Sequence, residues 1–347
     1  MHRRDLIALA LSAPLTPLAA QAGAPLAASG WAEWRGAFLT DEGRVVDALQ
    51  RGASHSEGQS YGLLLAEAHG DLDAFEKIER WTRAHLLVRD DALMGWRWIE
   101  GEGVPDWHIA TDGDLFRAWA LLRAGLRFAR PDFTELAHKI AAEIAGMCIT
   151  PDPRGGDRLV LLPGDPAYML GEGGAVTFNP SYIMPRAMDD LAAATGIERL
   201  ARAASDGLAL IDELAAQGPI PDWVELHPGG IRPAAGRNGG SGYDAIRVPL
   251  YLVWSGRGDA RAVTAAAEHL PSDAGRVVVA RRADGSPDET SDLAGYRAIA
   301  ALARCAAGFG PGAIPPYEPG QPYYPATLHL LAELAAREAA LACPQKP

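Results

Sequence analysis

Three short stretches each put a carboxylate where a helix is expected to begin. In His55-Ser56-Glu57-Gly58-Gln59-Ser60-Tyr61-Gly62, Ser56 and Gln59 have capping-box spacing, which sets Glu57 on the first helical residue. Thr111-Asp112-Gly113-Asp114 repeats the arrangement: Thr111 caps, Asp112 opens the helix and Asp114 reaches back as the capping acid. Gly242-Tyr243-Asp244-Ala245-Ile246-Arg247-Val248-Pro249 supplies the third, because a proline fits only near a helix start, so this helix must begin at 245–248 with Asp244 at or just before it. Taken singly, each acid has a plainer explanation. An acid at a helix N-terminus is favoured by about 0.3–1 kcal/mol, Asp244 reads as an N-cap, and Arg247 reads as its salt-bridge partner. Taken together, and with Trp96, Trp98, Trp107 and Trp223 in loops as flat surfaces for sugar rings, the acids suit hydrolysis of a bond between sugars. That chemistry needs a protonated acid for the leaving oxygen and a carboxylate that activates water or attacks carbon.

For that chemistry the acids must meet, and the rest of the chain says how. Trp31, Trp34 and Phe38 recur at helical spacing and start the folded part. A capped helix from Glu57 to His69 is followed by one opened by Asp71, with Phe75, Ile78, Trp81 and Leu86 on one face. Helices are expected from Thr111 to about Ala129, from Pro131 to about Met147, and from the Asn179-Pro180 cap through Ala194, with a partner ending near Gln217. Two more pairs follow: 245–254 with 260–270, and 292–307 with 326–341. These make about eleven helices. The stretches 90–110, 150–178 and 219–242 read as long loops, and Val277-Val278-Val279 is the best strand candidate but too short to matter. No 34- or 40-residue repeat is visible. The expected fold is therefore all-α: a closed ring of helical hairpins whose inner helices run parallel, so that Glu57, Asp112 and Asp244 share one rim. Gly58, Gly62 and Gly113 each cost roughly 1 kcal/mol in a helix relative to Ala, so close approach is expected at each.

The 347 residues are 48% hydrophobic, ample for one large core. The net charge of −12 makes nucleic acid and anionic membrane surfaces poor partners and a neutral or cationic substrate a better one. Residues 1–22 read as an export signal, with Arg3-Arg4, an apolar run from Leu6 and a small-residue cleavage site at Ala20-Gln21-Ala22; either the general or the twin-arginine route fits. Residues 23–347 are then a single domain in the periplasm or outside the cell. No later stretch approaches the ~20 apolar residues of a membrane span. Cys148, Cys305 and Cys343 exclude a clustered thiolate site; Cys148 is expected in the core, and Cys305 with Cys343 is the one pair considered for a disulfide. The histidines show no His-x-x-x-His spacing, His55 and His108 are expected to be structural, and no metal or cofactor is expected.

Ser56-Glu57-Gly58-Gln59-Ser60-Tyr61-Gly62 resembles the signature of glycoside hydrolase family 8, the bacterial endoglucanases that include the cellulase of cellulose-synthesis operons. Ala110-Thr111-Asp112-Gly113-Asp114 with Ala118, Leu121 and Leu122 looks like its second signature, and Asn179-Pro180-Ser181-Tyr182 and Tyr243-Asp244-Ala245-Ile246-Arg247 match two further blocks in order. The resemblance runs from about Trp31 to Trp254 and weakens after Gly256, where Pro311 to Pro325 replaces a possible twelfth helix. It implies an (α/α)6 barrel and inverting hydrolysis of β-1,4-glucan, with Glu57 as proton donor and Asp244 as base. Asp112 would hold and distort the sugar. Tyr182 and Arg247 would support the water and Asp244, and Trp96, Trp98, Asp114 and Trp223 would contact the glucan. A cellulose synthase complex is a candidate partner, and a monomer is expected. Chitosan, mixed-linkage glucan and xylan are rival substrates, and a non-catalytic glucan-binding partner of a synthase is the rival from another class.

Overall fold

The structure, a computed structural model, describes residues 28–237, 239–310 and 313–341. The expected export segment 1–22 lies outside the described residues. Within them the helices are α1 (Ala28–Phe38), α2 (Ser56–His69), α3 (Leu72–His85), α4 (Thr111–Arg127), α5 (Pro131–Met147), the four-residue α6 (Pro166–Met169), α7 (Pro185–Thr195), α8 (Glu198–Ala215), α9 (Arg247–Trp254), α10 (Arg261–His269), α11 (Ala294–Ala306) and α12 (Tyr323–Glu338). None is long and apolar enough to cross a membrane.

Helices α2, α4, α7, α9, α11 and α12 each pack on the next, and α12 returns against α2, which closes an inner ring. Helices α1, α3, α5, α8 and α10 cover it from outside, the arrangement expected of an (α/α)6 barrel with one outer helix missing. The described residues between α11 and α12 hold no helix, as expected for the proline-rich stretch. Inner helices must be apolar nearly all round. Accordingly every residue of α9 is buried, and Leu63, Leu64 and Leu65 of α2 face three directions without reaching solvent. Each such leucine contributes roughly 1.5–3 kcal/mol. Asp71 caps α3 through the Ala74 amide at 3.1 Å, and Phe75, Ile78 and Trp81 form its buried face, as read from the sequence.

The end of the barrel reached by the C-termini of α2, α4, α9 and α12 is stitched by charge. Glu338 of α12 takes Arg123 of α4 at 2.7 Å, Arg186 of α7 at 3.0 Å and the indole N–H of Trp254 of α9 at 2.8 Å. Arg123 also reaches Glu67 of α2 at 2.7 Å. Four inner helices therefore converge on one carboxylate.

The loops are more ordered than their composition suggests. Short strands β1 (Ser54–His55), β2 (Arg97–Ile99) and β3 (Gly103–Asp106) pair antiparallel, as do β4 (Ile149–Pro151) with β5 (Leu159–Leu161). A third sheet orders β6 (Val176–Phe178), β7 (Val224–His227) and β8 (Gly230–Pro233), and β9 (Val277–Arg281) pairs with β10 (Pro287–Ser291). The reading of these segments as irregular is corrected: β6 and β7 meet through Phe178 and Val224, a pairing between distant segments that no local pattern reveals. Cys148 is a free buried thiol, as expected, and Cys305 is disulfide-bonded; Cys343 lies outside the described residues.

Candidate active site

At the opposite rim, the starts of α2, α4 and α9 and the turn before α7 come together around Arg247. Arg247 is 2% exposed, and its guanidinium bridges all three predicted acids. Nη1 pairs with Glu57 Oε2 and lies 3.5 Å from Asp112 Oδ2, while Nη2 lies 2.5 Å from Asp244 Oδ1. Nη2 also donates to Ser181 Oγ at 2.7 Å, and Ser181 is in turn held by Asn179 Oδ1. Arg247, expected as a salt-bridge partner of Asp244 alone, is the hub of the site.

The helix starts reach this geometry differently from the sequence expectation. The Ser56–Gln59 capping box is not formed: α2 begins at Ser56, His55 occupies the cap without a side-chain bond, and Gln59 points into the core. There it accepts from Val45 N and donates to Thr82 Oγ1 at 2.9 Å. Thr111 is likewise the first residue of α4 rather than its cap. Asn179 does cap, through the Ser181 amide at 2.9 Å, but it caps the single 3-10 turn Pro180–Tyr182, and α7 restarts at Pro185. Buried interhelical contacts compete with local capping here, and the tertiary partners win.

The glycines do admit close approach, but of protein rather than ligand. A Cβ on Gly58 would meet the Tyr323 hydroxyl at 2.9 Å, and one on Gly62 would meet Val45 at 3.0 Å. A Cβ on Gly113 would lie 2.5 Å from Ser56 Oγ and 2.9 Å from Glu57 N. Gly113 therefore lets the first turn of α4 close on the first turn of α2. Ser60 Oγ, 2.7 Å from Gly113 O, fastens the two. This contact brings Asp112 beside Glu57.

Electrostatics separate the acids. Asp112 is 2% exposed; burial first, then the charge of Glu57, push its carboxyl up to about 8 against the pull of Arg247. It therefore holds a proton at neutral pH. Tyr182 is buried beside Asp112 and Asp244, and burial together with those charges keeps its hydroxyl well above the usual tyrosine range. The Tyr61 and Tyr251 hydroxyls bond each other beneath Arg247 and are raised for the same first reason, burial.

Of the remaining predicted contacts, Trp96 and Trp223 border the rim half-buried, each with a guanidinium over its ring: Arg97 at 4.4 Å and Arg237 at 3.9 Å. Trp223 also lies 6.0 Å from Tyr182, ring to ring. Two of the predicted contacts are engaged by protein groups. Trp98 belongs to a small separate core with Trp81, Leu86 and Met94; Arg44 lies over its ring and His85 against its edge, so it fills the loop base. Asp114 has no exposed surface and accepts from Met94 N at 2.9 Å, anchoring the loop above rather than facing a ligand.

Sequence reasoning passed over the tyrosines beside Asp244. Tyr243 is 45% exposed and its ring sits 6.3 Å from Tyr296 and 6.2 Å from Tyr324, whose hydroxyl bonds Tyr243 O. Tyr323-Tyr324 opens α12 just as the acids open α2 and α4, so the same rim logic applied to the last inner helix would have found it. The Pro-Asp-Trp triplets at 105–107 and 221–223 share a job. Asp106 accepts from the Trp96 indole at 2.8 Å and from His108 N at 3.0 Å, and Asp222 likewise ties down rim backbone.

The chain is similar to known proteins along most of its length. Residues 7–335 match the glycosyl hydrolases family 8, so the similarity continues well beyond Trp254, where it was expected to fade. A "Probable endoglucanase" of Novacetimonas hansenii is 38% identical over 66% of this chain and 67% of its own length. The solved endo-beta-1,4-glucanase CMCax from Acetobacter xylinum superposes with a TM-score of 0.80 at 31% identity, over 90% of this chain and 98% of that one. An endoglucanase from Komagataeibacter sucrofermentans gives 0.81 at 32%, over 91% and 99%. With a closed ring of helices, acids gathered at one rim and a match along nearly its whole length, this chain belongs to glycosyl hydrolases family 8.

Proposed function

We propose that this glycoside hydrolase is an endo-β-1,4-glucanase that cleaves internal bonds of cellulose chains with inversion. The observation that carries the proposal is the convergence of Glu57, Asp112 and Asp244 on Arg247 at the rim where the inner helices begin. The three similar proteins described above are endoglucanases by name, which supports the substrate class. In this reading Glu57 gives its proton to the glycosidic oxygen as that bond breaks. Asp244 takes a proton from a water that attacks the anomeric carbon from the opposite face, with Tyr182 and Arg247 fixing its position. Asp112, which keeps its own proton, is a poor nucleophile and a good hydrogen-bond donor to a sugar hydroxyl. That supports inversion over a covalent intermediate. Trp96 and Trp223 offer stacking faces once a sugar takes the place of the arginine over each ring.

Export through residues 1–22, a monomeric state and trimming of glucan made by a neighbouring synthase complete the proposal. The first rests on the composition of that segment and the last on the motif resemblance. The test is reducing-sugar release from carboxymethylcellulose, with chitosan, mixed-linkage glucan and xylan as competitors. Glu57→Gln and Asp244→Asn should each lower kcat by roughly 10²–10⁴-fold while soluble oligosaccharides still bind. Faster turnover of chitosan or xylan would move the substrate assignment, and full activity in either variant would remove the roles.

A further inference from the structure

The turn that carries Asp244 is fastened from outside its own helix. α9 has no side-chain cap at Ile246, and the chain from 242 to 247 is held within itself by backbone bonds such as Ile246 N to Gly242 O at 3.1 Å and by the Asp244–Arg247 pair, neither of which caps the Gly242 or Ala245 amide. The side chain that completes it is Asp222, 7% exposed, whose Oδ1 accepts from Gly242 N at 2.7 Å and from Ala245 N at 2.8 Å. Those two amides bracket Asp244. Asp222 is itself pinned by its own amide, which donates to Gly240 O at 2.9 Å. Gly242 presses on the same carboxylate, since a Cβ there would lie 2.7 Å from Asp222 Oδ2.

We infer that Asp222 is a positioning residue for Asp244: it takes over the capping of the α9 entry, so that the Asp244 carboxylate is free to face Arg247 and the groove. The inference rests on Asp244 acting as the base. Capping is the work that the sequence pattern would assign to Asp244 itself, and a carboxylate accepting its own helix amides has fewer lone pairs left for water. The position is poorly chosen for stability alone. Burial pushes the Asp222 carboxyl up to about 6 and the nearby Asp244 charge adds to this, while the Ala245 and Gly242 amides and Arg247 pull it down.

The experiment compares Asp222→Ala, Asp222→Asn, Gly242→Ala and Asp244→Asn in the full chain, with kcat and KM on a soluble cello-oligosaccharide and thermal unfolding for each. Displacing a reacting group by about 1 Å costs roughly 100-fold, so Asp222→Ala should lower kcat by about that factor with KM nearly unchanged. Asparagine keeps an oxygen that accepts both amides and should recover kcat to within about 10-fold of wild type. Gly242→Ala, which leaves Asp222 in place but forces a methyl against it, should reproduce the kcat loss at unchanged KM; it carries the test if Asp222→Ala does not fold. An unaltered kcat in Asp222→Ala or in Gly242→Ala, or an asparagine variant as slow as the alanine one, overturns the inference. Activity in Asp244→Asn would instead overturn the base assignment beneath it.

Discussion

Asp112 Oδ2 lies 3.5 Å from Arg247 Nη1, within reach of a buried positive charge, and yet the Asp112 carboxyl is held up at about 8. Glu57 and Asp244 take the nearer sides of the guanidinium, so Asp112 feels its pull at longer range and the charge of Glu57 works against it. Burial then decides.

This placement has a signed consequence for stability. The folded carboxyl, at about 8, stands above the ordinary aspartate value of about 3.9, so the native state holds a proton that the unfolded chain releases. The contribution is fully present below about pH 4 and is lost as pH rises to about 8. Asp112→Asn removes the titration. Its melting temperature should gain on wild type steadily from pH 4 to pH 8, with a ceiling of a few kcal/mol. Parallel curves would exclude a protonated Asp112.

Arg247→Ala should be the most damaging single change at the rim. Removing the charge that the acids share leaves buried Asp112 crowded by two partly exposed acids, a loss of up to about 3–5 kcal/mol by analogy with broken buried pairs. Arg247→Lys is the sharper test. A lysine is a point charge and does not span Glu57 and Asp244 as Nη1 and Nη2 do. Denaturant melts should show Arg247→Lys keeping more stability than Arg247→Ala, whereas assays should find it nearly as inactive.

Gly113→Ala would drive a methyl into Ser56 Oγ and the Glu57 amide, prising α4 from α2. Overpacking of this kind costs about 1–3 kcal/mol. Adding Ser56→Ala removes the nearer obstacle, and Ser56 Oγ has no hydrogen bond to lose. The double variant should therefore melt higher than Gly113→Ala alone, though below wild type because the backbone contact at 2.9 Å remains. Equal melting temperatures for the two would show that the clash relaxes elsewhere.

Glu338 separates stability from catalysis. Glu338→Gln leaves Arg186 without its 3.0 Å partner and weakens the junction of α4, α9 and α12, at the far end from the acids. Unfolding should come about 3 kcal/mol sooner. Below the melting transition kcat and KM should stay at wild-type values, and a large change in kcat would mean that the two ends of the barrel are coupled.

Much of this molecule was settled by residue order alone. Helical periodicity placed eleven long helices, from the Trp31-Trp34-Phe38 face of α1 to the late start of α9 forced by Pro249, because an inner or outer helix must repeat its apolar positions locally. The same reading found the three acids, since each stands at a helix start and a helix start is a local signal. What each acid is bonded to was beyond that reach. Gln59 abandons the expected cap for Val45 and Thr82, Asp114 turns to Met94, and Trp98 turns to Trp81, because contacts between segments far apart along the chain outweigh the short-range pattern. Arg247 as hub, Asp222 as anchor and the proton on Asp112 arise only when the ring closes, since each depends on desolvation and on charges delivered by other helices, and neither quantity is written in the neighbouring residues.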